Sequence, residues 1–156
     1  MTTNESASAP APRMNLVQHV PDVYQAMVAL DQAARKGLDP VLCKLVKIRA
    51  SQLNHCAFCI DMHVGEARKA GESDQRIHLL NAWEEAPGVY SEREKAALAL
   101  TEAVTVLTDG FVPDAVYERA AAHFDEAELG RLISLITVIN GWNRLSVTTR
   151  LPPGAH

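Results

Sequence analysis

The feature that most limits the fold of this chain is a spacing. In segment after segment apolar residues return every three or four positions, and each segment is closed by a Pro, a Gly or a helix-capping side chain. Runs that alternate apolar and polar residues are short, and Ala, Leu, Glu and Arg dominate the periodic stretches. The chain therefore reads as all-α. Pro21 suits a first helical turn, and the stripe Val23, Met27, Leu30 runs toward a stop at Gly37. Asp39 caps a second helix carrying Leu42, Leu45, Val46 and Ile48, expected to end near Asn54, where a left-handed or capping residue is tolerated. A third helix begins almost at once, near His55 or Cys56, and continues to Gly71, so the turn between them must be tight.

Ser73 caps a short fourth helix, through Arg76, Ile77 and Leu80 to about Trp83, ahead of the break at Pro87-Gly88. Ser91 followed by Glu94 forms a capping-box pattern, and Ala97, Leu100, Val104 and Leu107 extend that helix toward Asp109-Gly110. Pro113 opens a helix with Val116 and Ala120, and Asp125 caps a long last one through Leu132, Ile136, Ile139 and Trp142. The stretch Leu132 to Ile139 taken alone would suit a buried strand, but the helical periodicity around it favours a buried helix. Leu151-Pro152-Pro153-Gly154 cannot continue that helix.

A chain of 156 residues suits one domain with one core, expected over residues 14–156, preceded by a flexible Ser-, Ala- and Pro-containing tail over 1–13. A net charge of -4, with basic residues scattered among acids, argues against nucleic acid as a partner. No run approaches the roughly 20 apolar residues that cross a bilayer, so no membrane partner is expected. The first residues lack a charged segment followed by an apolar one, so the cytoplasm is the expected compartment, where ordinary thiols stay reduced. Three cysteines there do not form a disulfide framework. Two of them lie three residues apart, a spacing that suggests redox chemistry or metal binding.

In the segment Ser51 to His63, residues Cys56, Cys59 and His63 are spaced by three and four. At about 100° per residue they share one helical face. Cys56 is placed in the first turn, where free N–H groups and the helix dipole favour a thiolate. His63 can accept or return a proton near neutral pH, since its ordinary pKa is ~6.5. Together these groups can run a redox cycle in which one thiolate attacks an O–O bond and the second resolves the sulfenic acid. A Cys56–Cys59 disulfide is then expected in the oxidised protein, one helical turn being within bonding reach after side-chain rotation. Two blander readings use the same residues. The cysteines could be small buried side chains, or two thiols and one imidazole could hold zinc, although a fourth ligand and a second Cys/His pair are missing. His55 reads as a cap or surface group, His78 and His123 as surface or packing residues, and Cys43 as a buried packing residue. Trp83 and Trp142 read as core or subunit-interface anchors.

The pattern S-x-x-N-x-C-x-x-C-x-x-x-H over Ser51 to His63 resembles the AhpD-like core of the carboxymuconolactone decarboxylase superfamily. The resemblance extends to Leu38-Asp39-Pro40, to Leu45 through Ala50, to Leu79 through Trp83 and to Asn140 through Arg144, covering most of residues 14 to 150. It implies an all-helical, homo-oligomeric antioxidant protein that reduces hydroperoxides without a bound cofactor or metal and is regenerated by a thiol reductant or a partner redox protein. It also implies roles: Cys59 reacts with peroxide, Cys56 resolves it, and His63 relays the proton. Lactone decarboxylases of the superfamily lack the paired cysteines, so the thiols argue against that reaction. One departure stands out. The family's relay glutamate lies twelve residues before the first cysteine, where this chain has Lys44. An ammonium favours a thiolate but cannot take a proton. The expectation is a slow peroxidase that Lys44→Glu accelerates, with a thiol–disulfide adaptor, a redox sensor or a non-catalytic helical oligomer as alternatives. Oligomerisation is also expected from an uncovered apolar face at Leu132, Ile136, Ile139 and Trp142.

Overall fold

Local capping accounts for most of the helix boundaries in the computed structural model, which describes residues 11–156. The elements are α1 (Leu16–His19), α2 (Pro21–Arg35), α3 (Pro40–Leu53), α4 (Ala57–Lys69), α5 (Asp74–His78), a 3-10 segment (Leu79–Glu85), α6 (Glu92–Thr105), α7 (Asp114–Ala121) and α8 (Glu126–Thr149). Among the described residues there is no strand. The stretch Leu132 to Ile139 is helical. The Asp39 carboxylate accepts from the N–H groups of Val41 and Leu42 at the start of α3. Ser91–Glu94 and Asp125–Glu128 are reciprocal capping boxes, in which each cap side chain and its partner satisfy a donor that the first helical turn leaves free.

Three details depart from the sequence expectation. The four-residue α1 had no periodic signal, being too short for one; the Asn15 side chain closes it by accepting from Gln18 N–H. The helix begun at Ser73 tightens into the 3-10 segment after His78 and leaves helical geometry at Ala82. There Trp83 is buried and its indole N–H donates to Glu102 on α6 at 2.7 Å, a tertiary bond that outweighs continued α-winding. Finally, α6 stops at Thr105, four residues short of Asp109, and leaves Val106 and Leu107 exposed.

The helices enclose two apolar clusters. One gathers Leu42 and Val46 of α3, Leu100 of α6, Phe124, and Leu132 and Ile136 of α8. The other gathers Leu45 and Ile48 of α3, Ala67 of α4, Leu80, Trp83 and Leu98. Helix α3 supplies residues to both, so it is buried on two sides and forms the centre of the bundle. Where α2 packs on α8, a Cβ at Gly141 would lie 3.0 Å from Met27 Cε, the free end of a flexible side chain. The last helix does not leave the expected apolar face uncovered. Leu132, Ile136 and Ile139 are fully buried within the chain, because α8 packs against α2, α3 and α6 at once. Trp142 is partly covered by Tyr24, edge to face at 5.3 Å between ring centres. No described helix is long and apolar enough to cross a membrane.

Candidate active site

The tight turn between α3 and α4 is what presents the cysteine pair. The N–H of His55 bonds Gln52 O and the N–H of Cys56 bonds Ser51 O, which together form a Schellman closure of α3. Such a closure needs one left-handed residue. His55 provides it, with φ +53°, rather than Asn54. Cys56 is at once the last residue of that closure and the N-cap of α4, its sulfur accepting from Cys59 N–H at 3.3 Å. It thus lies one position before the first helical turn in which the spacing put it, still against the free N–H groups of that turn. Cys56 and Cys59 form a disulfide with a Cα–Cα separation of 5.3 Å. His55 itself is exposed and belongs to the turn, as the capping reading had it. An L-residue in the left-handed region is strained, so His55→Gly is expected to stabilise the protein by about 1 kcal/mol. Urea denaturation measures this, and a loss of stability would mean that the imidazole does more than occupy the turn.

Cys59 and His63, both buried, line a cavity of about 510 Å³. Its walls are largely apolar. They include Phe58 and Met62 of α4, Tyr24 and Val28 of α2, and Trp142 and Leu145 of α8. Cys56 does not line it. The two sulfurs are therefore inequivalent: both are buried, but only Cys59 meets the cavity. Trp142, read from sequence as a core or interface anchor, is partly a wall of this space. Trp83 is a core residue and does not line the cavity. Cys43 is free and buried in the first apolar cluster, and burial pushes its thiol pKa up, as suits a packing residue. His78 is exposed and His123 partly so, and neither lines the cavity.

The polar end of the cavity holds two carboxylates and three cations. Glu66 Oε2 lies 3.1 Å from His63 Nδ1, and the same oxygen accepts from Lys44 Nζ. Asp31 pairs with Arg35 at 2.9 Å and with Lys47 at 2.5 Å. The hydrogen bond to His63, and then that from Lys44, hold the Glu66 carboxyl down to about 2. Burial lowers the His63 pKa below its ordinary 6.5, against the opposing pull of Glu66, so the imidazole is neutral at pH 7. Sequence reasoning missed Glu66. Its signal was present in His63-x-x-Glu66, three apart on one helix and so on one face. The Lys44 partnership, across 22 residues and two helices, had no local signal.

A carboxyl whose pKa is lower in the folded than in the unfolded chain contributes stability that is complete above the unfolded value and lost as pH falls through the folded one. For Glu66 that window runs from 4.5 down to about 2. Its side chain is 41% exposed, so solvent screening keeps the contribution small. Stability plotted against pH is expected to be shallower across this window in Glu66→Gln than in the wild type. Equal slopes in acid titrations followed by circular dichroism would remove Glu66 from the set of groups that drive acid unfolding.

The model of the carboxymuconolactone decarboxylase family matches residues 21–103. Over 136 residues the chain is 41% identical to YdfG of Bacillus subtilis, an uncharacterised protein, with 86% of this chain and 92% of the relative covered. It is 37% identical to a protein of unknown function from Agrobacterium tumefaciens provisionally assigned as antioxidant defence protein AhpD. That crystal structure superposes with a TM-score of 0.88 over 94% of this chain and 100% of the other. The debrominase Bmp8, solved with 2,3,4-tribromopyrrole, shares the fold at a TM-score of 0.78 and 16% identity, over 89% of this chain and 74% of its own.

Proposed function

We propose that this chain, which belongs to the carboxymuconolactone decarboxylase family as one of its AhpD-like members, is a thiol-dependent reductase of hydroperoxides. The observation that carries the reading is the placement of Cys59 beside His63 on a largely apolar cavity, with Cys56 behind it in disulfide reach. Family membership supports an enzyme in general terms, since peroxidase-related proteins and a debrominase share the fold.

In the reduced protein neutral His63 takes the Cys59 thiol proton, and the thiolate attacks the distal oxygen of a hydroperoxide ROOH. The S–O bond forms as the O–O bond breaks, and the departing alkoxide takes the proton back from His63 to leave as ROH. Cys59 is then a sulfenic acid. Cys56 attacks its sulfur, water leaves, and the disulfide of the present structure results. An external dithiol reduces that disulfide and is itself oxidised to a disulfide, so one ROOH and one dithiol yield ROH, water and the oxidised reductant. No bound cofactor enters these steps.

The adaptor alternative requires a partner protein's thiolate to reach a sulfur directly. Cys59 and Cys56 are 2% and 1% exposed, which favours a small reactant or a slender thiol arm entering by the cavity. A homo-oligomer belongs to this reading through the family resemblance, and Val106, Leu107, Phe111 and Tyr117 are large apolar side chains exposed on one copy. The test is peroxide consumption by the purified protein with a small dithiol as reductant, compared with the Cys59 variant. Activity that is absent in the wild type while its disulfide still exchanges with a small thiol would favour the adaptor.

A further inference from the structure

We propose that Glu66, clamped by Lys44, is the positioning residue that orients His63 and stabilises its protonated form, so that the carboxylate of the proton relay stands on α4 rather than on α3. The proposal rests on the peroxidase reading for its reaction, but its geometry is independent of it. Glu66 Oε2 is shared between His63 Nδ1 and Lys44 Nζ. A carboxylate can only accept, so the neutral imidazole must carry its proton on Nδ1, and the Nε2 lone pair remains as the base. When Nε2 takes the Cys59 proton, the imidazolium forms beside a fixed negative charge. Lys44 alone would oppose that step. With Glu66 between them, each cation faces a carboxylate.

Other charges bear on His63 as well. Lys47 and Lys44 on α3 oppose its protonation. Asp31 and Arg35 on α2 line the same cavity and pair with each other, and Asp31 also neutralises Lys47. Glu66 is therefore the carboxylate that contacts the imidazole. The ionised state of Glu66 is secured well below neutral pH by its two donors. Lys44 thus acts as the clamp of the relay and is not a gap in it. This reverses the expectation that Lys44→Glu accelerates turnover: alone, that change sets a second carboxylate against Glu66 and removes the clamp, and no gain follows.

The test has a spectroscopic arm and a kinetic arm. In wild-type protein the ¹⁵N shifts of His63 should report a protonated Nδ1 and a bare Nε2. In Glu66→Gln they should move toward a tautomer mixture, and the His63 titration midpoint should drop further, because the group that favours the imidazolium is gone. Single-turnover oxidation of Cys59 by cumene hydroperoxide should slow by about 10- to 100-fold in the same variant. The double variant Lys44→Glu, Glu66→Gln, which moves one carboxylate across to α3, should recover at least half of the lost rate on a logarithmic scale. His63 shifts and midpoint unchanged in Glu66→Gln would overturn the proposal, whatever the rate. A double variant as slow as Glu66→Gln would overturn it too, by assigning the loss to packing. The spectroscopic arm needs no peroxide chemistry, so a failed peroxidase reading, seen as no Cys59 oxidation in the wild type, is distinguishable from a failed relay.

Discussion

Replacing Cys59 by Ser is expected to lower dithiol-dependent peroxide consumption by about 1,000-fold or more. A serine hydroxyl is neither ionised near neutral pH nor oxidised by a hydroperoxide, and Cys59 is the sulfur of the pair that meets the cavity. Cys56→Ser should fail differently. Its Cys59 should still consume one equivalent of hydroperoxide and then stop as a sulfenic acid, because the resolving thiol is gone. A cyclic dione that traps sulfenic acids, followed by peptide mass spectrometry, locates the product. One equivalent of hydroperoxide consumed by Cys59→Ser with sulfenic acid trapped on Cys56, and none consumed by Cys56→Ser, would exchange the two roles. Trapped product on Cys43 would remove the pair from the reaction, but Cys43 is buried and its raised thiol pKa disfavours the thiolate.

The second large effect is on stability. Asp31 and Lys47 have side chains 13% and 6% exposed and lie 2.5 Å apart, with Arg35 on the outer side of Asp31. Asp31 Oδ1 has no hydrogen-bond partner of adequate geometry and faces the Lys47 charge, while Arg35 pairs with Oδ2 of the same carboxylate. Asp31→Ala leaves an ammonium enclosed without an anion and is expected to cost about 3–5 kcal/mol. The paired change Asp31→Leu, Lys47→Met removes both charges and should return stability to within about 1–2 kcal/mol of the wild type. Chemical denaturation of the three proteins decides it, and a mild Asp31→Ala would show that Lys47 finds water or another anion.

Burial lowers the Lys47 pKa from 10.5, so the unfolded chain holds its proton more tightly than the folded one. Stability from this group accordingly rises with pH between the folded value and 10.5, and the rise should vanish in Lys47→Met.

What the sequence determined by itself was local. Caps, prolines and helical spacing depend on residues within a turn of one another, so α2, α3, α4, α6 and α8 were legible, as was the four-residue spacing of Cys59 and His63 along α4, whereas Cys56 falls one position before that helix. Even the disulfide followed from spacing, since one helical turn brings the two sulfurs within reach. Tertiary structure decided everything that depends on which helix lies beside which. It covered the apolar residues of α8, where the sequence could register only that they were apolar and not that three helices would surround them. It turned Trp142 toward a cavity whose walls come from α2, α4 and α8, a space no single segment encodes. It also brought Lys44 of α3 against Glu66 of α4. A carboxylate was sought at position 44 along the chain, but contact with His63 depends on a point in space, and the neighbouring helix places Glu66 there.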